Sequence, residues 1–257
     1  MDRPAPGVSR SEIVALILIL TSALALRLPS IGWGLPPAIP HVVASDIRSS
    51  YSFDEDDVLT GASFTKPWKF DFDVRDYHWG TFHLELTALW LDMVEATGAF
   101  RGPWRQAYYQ MVPGSFERVY AAGRALSILL GLISIILVYL LGREIQSAAA
   151  GLWAAAVVAA SPVHLLGSTQ VRVDLTMMAL LMLTAWLGAR AQKQWQPRLL
   201  IALGLVGGLA ITAKYPAVFA ALPMLGAVIA ASRFPLRAST FIGLGAVGGC
   251  LLGQPYL

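Results

Sequence analysis

Residues 52 to 57 read Ser52-Phe53-Asp54-Glu55-Asp56-Asp57, with four carboxylates in succession. Like charges this close repel, and each loses hydration if carried toward lipid. They stay ionised where water, a cation or basic side chains compensate them. The composition admits a solvated acidic loop beside the membrane. It also admits a carboxylate cluster at the mouth of a membrane cavity. The second could take a proton from an attacking hydroxyl or hold a divalent cation.

Basic groups that could answer these carboxylates stand further along. In Val171-Arg172-Val173-Asp174 the opposite charges are two residues apart, as in a local ion pair at a helix start or in a functional site. Lys214 precedes Tyr215-Pro216 at a turn between apolar runs. It either snorkels to the interface or offers a compact ammonium to a phosphate. Arg124 faces the same choice between snorkelling and a buried pair. His78 and His83 flank Trp79-Gly80 and read as an interfacial aromatic girdle in preference to a metal pair. His164, after Pro162, reads as a polar helix-packing residue. No Ser-His-Asp arrangement, phosphate-binding loop or cysteine cluster competes with the acidic and basic set. Cys250 is the single cysteine.

The elements that position these groups are set by composition. Of 257 residues, 56% are hydrophobic and 14% charged, with mean hydropathy +0.60. Long apolar runs separated by short basic clusters mark an all-α polytopic membrane protein. The net charge of +3 comes from residues at helix ends, so it reports topology and not nucleic-acid binding. The first apolar run, Ile13 to Leu26, lacks a small-x-small cleavage site and reads as a retained anchor. The spacing predicts a first span over 12–28, with Arg27 snorkelling to the far interface. A long loop over 29–118 follows, holding 12 of the 16 acidic residues. Six further spans follow, at about 119–141, 148–167, 174–190, 198–213, 215–231 and 238–257. The whole, 1–257, is one membrane module.

Thr81 to Ala96 has helical period but carries Glu85, Asp92 and Glu95, so it is expected to lie at the interface. That choice puts Arg143, the group Arg190, Lys193 and Arg198, and the pair Arg233 and Arg237 on the side of Arg3 and Arg10. The positive-inside rule is then obeyed at every loop, with seven spans, the N-terminus inside and the 29–118 loop outside. Gly243-x-Gly245-x-x-Gly248 sits within an apolar span with no preceding strand. It is helix-packing surface, not a dinucleotide fingerprint.

In their order, several short motifs resemble the N-terminal membrane module of GT-C glycosyltransferases. The likeness is to the protein O-mannosyltransferase-like and aminoarabinose-transferase-like branch, glycosyltransferase family 39. They are Arg27-Leu28-Pro29 with Gly34-Leu35-Pro36, Phe53-Asp54-Glu55, Tyr77-His78-Trp79-Gly80, and Arg124-Ala125-Leu126-Ser127 with Tyr139 to Arg143. Ser161-Pro162, Arg172 with Asp174, and Gly208-Leu209-Ala210 up to Lys214-Tyr215 complete the series. The resemblance implies an integral enzyme of a bacterial inner membrane. It would move a sugar from a polyprenyl-phosphate donor on the outer face, by an inverting mechanism. Asp54 would be the base or a metal-linked carboxylate, Glu55 its assistant and Asp174 the second acid, with a divalent metal, Mg or Mn, open to Asp54 and Asp174. Arg172 and Lys214 would hold the lipid phosphate, with His78 and Arg124 in the donor site. Two departures stand out. The family's Pro-Pro pair is missing at His78-Trp79, and the chain stops at Tyr256-Leu257. The stop leaves room for a partner protein supplying further spans, or for a non-catalytic subunit that binds lipid or a partner.

Overall fold

The computed structural model describes residues 9–35, 52–75, 79–231 and 234–255. His78, Tyr77, Arg3 and Arg233 lie outside them. Helix α1 spans Arg10–Arg27, opened by a capping box in which Ser9 Oγ accepts from the Glu12 amide at 3.2 Å. Helices α2 (Phe53–Phe64), α3 (Thr81–Ala96) and α4 (Trp104–Tyr109) follow. The long α5, Phe116–Ile145, has 30 residues and so runs about 45 Å. That exceeds a hydrocarbon core of about 30 Å, so α5 projects beyond the expected span 119–141 and meets α2 to α4 there. Next come α6 (Ala148–Ala160), α7 (Pro162–Ser168), α8 (Val173–Lys193), α9 (Pro197–Ala213), α10 (Ala221–Ala230) and α11 (Pro235–Gly253). A 3₁₀ turn over Tyr215–Ala220 precedes α10. The described residues form no strand beyond one isolated bridge, Lys66 with Asp71.

Helices stand at all seven expected apolar segments. Among the described residues, four are long and apolar enough to cross a membrane: Arg10–Ser30, Phe116–Ile145, Val173–Lys193 and Pro235–Gly253. The pair α6 and α7 makes a fifth if taken as one span, but it is bent by 65°. A continuous helix over 148–167 was expected. The break has a local cause: Pro162 has no amide hydrogen to bond back, and it holds Ser161 extended, at φ −63° and ψ 124°. Pro197–Ala213 and Tyr215–Ala230 are apolar but shorter.

A second correction concerns the acidic stretch. It is not a loop but the first turn of α2, with Asp54, Glu55 and Asp56 at its N-terminus. Unpaired backbone amides there favour negative charge, which suits carboxylates that would weaken a helix interior. Helices α2 to α4 pack on the projecting end of α5 as a cap. Leu59, Leu84, Trp104, Tyr108, Phe116 and Tyr120 form its buried centre. Helix α3 starts and ends where its period predicts. One face is buried, including Leu84, Glu85, Ala88 and Leu91.

Helices α9 and α11 are in backbone contact. A Cβ on Gly208 would lie 2.3 Å from the carbonyl oxygen of Ala246, and one on Gly245 would lie 2.2 Å from that of Ile201. The small residues there serve helix packing, as their place in an apolar run predicts.

Arg27 does not snorkel. It is fully buried. Its Nε donates to Ser168 Oγ at 2.7 Å, Nη1 to the Ala23 carbonyl at 2.7 Å, and Nη2 to His164 Nδ1 at 2.8 Å. Two side chains of α7 and a carbonyl of its own helix give the guanidinium partners inside, so it has no need to reach the interface.

Candidate functional site

The capped end of the bundle gathers most of the sequence-predicted site residues and pairs them across elements. Glu55, on the first turn of α2, meets Arg124 on α5 through two hydrogen bonds, Nε to Oε1 at 2.8 Å and Nη2 to Oε2 at 2.7 Å. Glu55 is fully buried and Arg124 nearly so. Glu55 Oε1 also accepts from the Val171 amide at 2.9 Å. Arg124 Nη1 donates to the carbonyls of Ser30, Ile31 and Trp33 at 3.0, 3.1 and 2.6 Å. Of the two outcomes open to Arg124, the buried pair is realised.

Arg172 and Asp174 do not form the local pair that their spacing suggested. They straddle the start of α8 and turn to different partners. Arg172 Nη2 reaches Asp54 Oδ2 at 2.6 Å, and Lys214 Nζ, at the end of α9, reaches Asp174 Oδ1 at 2.6 Å. Both pairs are partly exposed. Lys214 Nζ also sits 5.9 Å from the ring centre of Trp79. Arg172 Nε is buried and has no hydrogen-bond partner among the described residues, and the same holds for Gln170 Oε1.

Arg172 and Asp174 form the polar end of a cavity of about 430 Å³. Its other walls are mostly apolar or small, with Val158 of α6, Val163, Leu166 and Gly167 of α7, and Leu175 and Met178 of α8, while Ser161 and His164 add two uncharged polar side chains. Val163 and Leu166 are largely exposed, so the cavity opens on the outer surface of the bundle. The bend at Ser161-Pro162 makes room for it. The cavity thus has a charged end, with one base and one acid, and a greasy opening, the two chemistries that an amphiphile presents.

Two residues already noted in the sequence take partners in this neighbourhood that the sequence did not indicate. His83 is buried on α3, with Nδ1 2.8 Å from Thr176 Oγ1 and Nε2 3.4 Å from Thr87 Oγ1. Burial lowers its pKa to about 4, opposed by the charge of Asp174 and assisted by that of Lys214. It is a neutral link between α3 and α8 and is satisfied by hydroxyls. Asp56, next to Glu55, accepts hydrogen bonds from Tyr108 and, at 3.3 Å, from Tyr120. Burial, aided by Asp56, raises the Tyr108 pKa far above its ordinary value. A tyrosine one turn before Arg124 was the available signal. On α3, Glu85 is buried with Oε1 unpartnered among the described residues, and burial raises its pKa to about 8.

The described residues contain no group of three or more His, Cys, Asp and Glu placed to hold a metal ion. Asp54 and Asp174, the pair considered for one, each have a cationic side chain as partner.

An all-helical integral membrane protein thus carries, at one capped end of its bundle, interlocked acid–base pairs at the edge of an amphiphilic cavity. A family model described as dolichyl-phosphate-mannose-protein mannosyltransferase matches residues 102–256, more than half of the chain. The chain belongs to that family of GT-C-type membrane glycosyltransferases. The matched range contains Arg124, Arg172, Asp174 and Lys214, while α2 with Asp54 and Glu55 precedes it. No curated protein and no solved structure matches the chain.

Proposed function

We propose that the chain transfers a sugar from a polyprenyl-phosphate donor to an acceptor hydroxyl or amine at the capped end. That end faces outward from a bacterial inner membrane, with seven crossings and the N-terminus inside. One observation carries this reading: the Arg172 guanidinium holds Asp54 with Nη2, keeps Nε unused, and forms the charged end of the apolar cavity. A single side chain can therefore hold a base and a leaving phosphate side by side.

In the proposed step Asp54 accepts the acceptor's proton. The freed oxygen or nitrogen forms a bond to the anomeric carbon from the face opposite the phosphate. The bond from that carbon to the phosphate oxygen breaks, and its electron pair leaves with the polyprenyl phosphate. Arg172 and Lys214 meet the charge that develops there. The isoprenoid tail lies over Val163 and Leu166. Glu55 and Arg124 are here assigned to the scaffold: their mutual bonds use both carboxylate oxygens and most of the guanidinium.

The alternative is a lipid-binding subunit without transfer activity, and it draws on the same pairs, since each acid is already neutralised by a base. The deciding experiment gives purified protein in lipid nanodiscs a radiolabelled polyprenyl-phosphate sugar and a panel of acceptors, beside Asp54→Asn. Transfer by the wild type that vanishes in Asp54→Asn supports the enzyme. Donor binding without transfer in either protein supports the subunit.

A further inference from the structure

Arg27 presents a problem that the transfer mechanism does not use. A guanidinium has donors only, so His164 Nδ1 must accept, and His164 is neutral with its Nε2 hydrogen directed to Ser134 Oγ at 2.8 Å. Ser134 Oγ in turn donates to the Gly131 carbonyl at 2.8 Å, and Ser168 Oγ to the His164 carbonyl at 2.8 Å. The Ala159 carbonyl, one of the acceptors freed by the break after α6, takes Nη2 at 3.4 Å. Every partner of Arg27 among the described residues is neutral. A whole positive charge is therefore buried with dipoles alone around it, an expensive arrangement in a bundle facing lipid.

The position of that charge explains its use. His164 bonds Arg27 on one side and lines the cavity on the other. Ser168, held by Arg27 Nε, ends the helix whose Val163, Leu166 and Gly167 wall the same cavity. The ion pairs that reach the cavity through Arg172 and Asp174 are each neutral in sum. Arg27 adds a net positive charge one residue behind the wall.

Resting on the reading of the cavity as a lipid-phosphate site, we infer that Arg27 is its charge-selecting and positioning residue. It fixes the bent wall through His164 and Ser168, and its field favours an anionic head over a neutral one. It does not touch the ligand.

The test compares binding of undecaprenyl phosphate and undecaprenol to the full chain in nanodiscs, by native mass spectrometry, for wild type, Arg27→Lys and Arg27→Gln. Wild type should prefer the phosphate. Arg27→Gln should lose about tenfold or more of that preference, and Arg27→Lys should keep most of it. A residue that only shaped the wall would, on removal, weaken both lipids alike. Equal weakening, or an unchanged preference in Arg27→Gln, overturns the inference. No preference in the wild type overturns the cavity reading instead. Should Arg27→Gln fail to fold, Ser168→Asp sets a carboxylate against Arg27 Nε and should likewise abolish the preference. A preserved preference there overturns the inference too.

Discussion

Glu55 and Arg124 are 69 residues apart in sequence and face each other with two hydrogen bonds of 2.7 and 2.8 Å in the buried centre of the capped end. Through the Val171 amide and three carbonyls of residues 30–33, the pair ties the exit of α1, the start of α2, α5 and the approach to α8 into one body. Asp54, one residue away, is thereby carried to Arg172. The positions of the two candidate chemical groups follow from a pair whose two ends are already hydrogen-bonded to each other.

Removing one partner should be severe. Glu55→Ala leaves a buried guanidinium without its carboxylate and with two of its five hydrogen bonds gone, a situation that typically costs about 3–5 kcal/mol. Unfolding in mixed micelles should show that loss. Asp54→Asn, at a partly exposed pair, should shift stability by less than about 1 kcal/mol.

Activity should show the reverse order. With Asp54 as the proton acceptor, Asp54→Asn should lower kcat by about 10²–10⁴-fold while the folded protein keeps its donor. Lys214→Gln should act mainly on donor affinity, because it removes a charge at the phosphate end and frees Asp174 to repel the anion. Single-turnover measurements with donor titration separate the two. Full activity in Asp54→Asn would remove Asp54 from the mechanism.

The stability of the cap should respond to pH through two groups of opposite sense. His83 has its folded pKa lowered from 6.5 to about 4, so the folded state prefers the neutral ring. Its contribution is complete above about 6.5 and is lost as pH falls toward 4. Glu85 has its folded pKa raised from 4.5 to about 8, so its neutral form is favoured. The folded state holds an advantage below about 4.5 that drains away as pH rises to 8. In the wild type the two oppose each other between 4.5 and 6.5, and only Glu85 acts from 6.5 to 8. Glu85→Gln should therefore gain thermal stability over the wild type as pH rises, with the largest gain near pH 8. A difference between the two melting curves that does not change with pH would refute this.

The helices were legible in the sequence because hydropathy and helical period are local. Thr81 to Ala96 has the predicted bounds, and all seven apolar segments are helical. Asp54 to Asp57 were misread as loop because aspartate disfavours helix interiors, whereas three of the four acids occupy a first turn, where the amides welcome them. The pairings were not legible. Arg172 is two residues from Asp174 but bonds Asp54, a choice set by how α2 lies on α5. Ser161-Pro162 carries the signal for the break. That Arg27 would find acceptors inside depended on that same break.

The contact of α9 with α11 gives the last prediction. Backbone meets backbone along Gly204, Gly208, Gly245 and Gly249, where added Cβ atoms would fall 2.0 to 2.3 Å from carbonyl oxygens of the facing helix. No side-chain movement can relieve such a contact, so Gly208→Ala must push the helices apart. Overpacking of this kind costs about 1–3 kcal/mol. Gly243 has nothing within 4 Å of its added Cβ, so Gly243→Ala should be neutral or slightly stabilising through helix propensity. Each substitution adds one methyl group and restricts the backbone at one position of the same helix pair. A melting temperature lowered by Gly208→Ala and not by Gly243→Ala would therefore isolate close packing as the cause. Equal effects would show that the glycines act through backbone freedom instead.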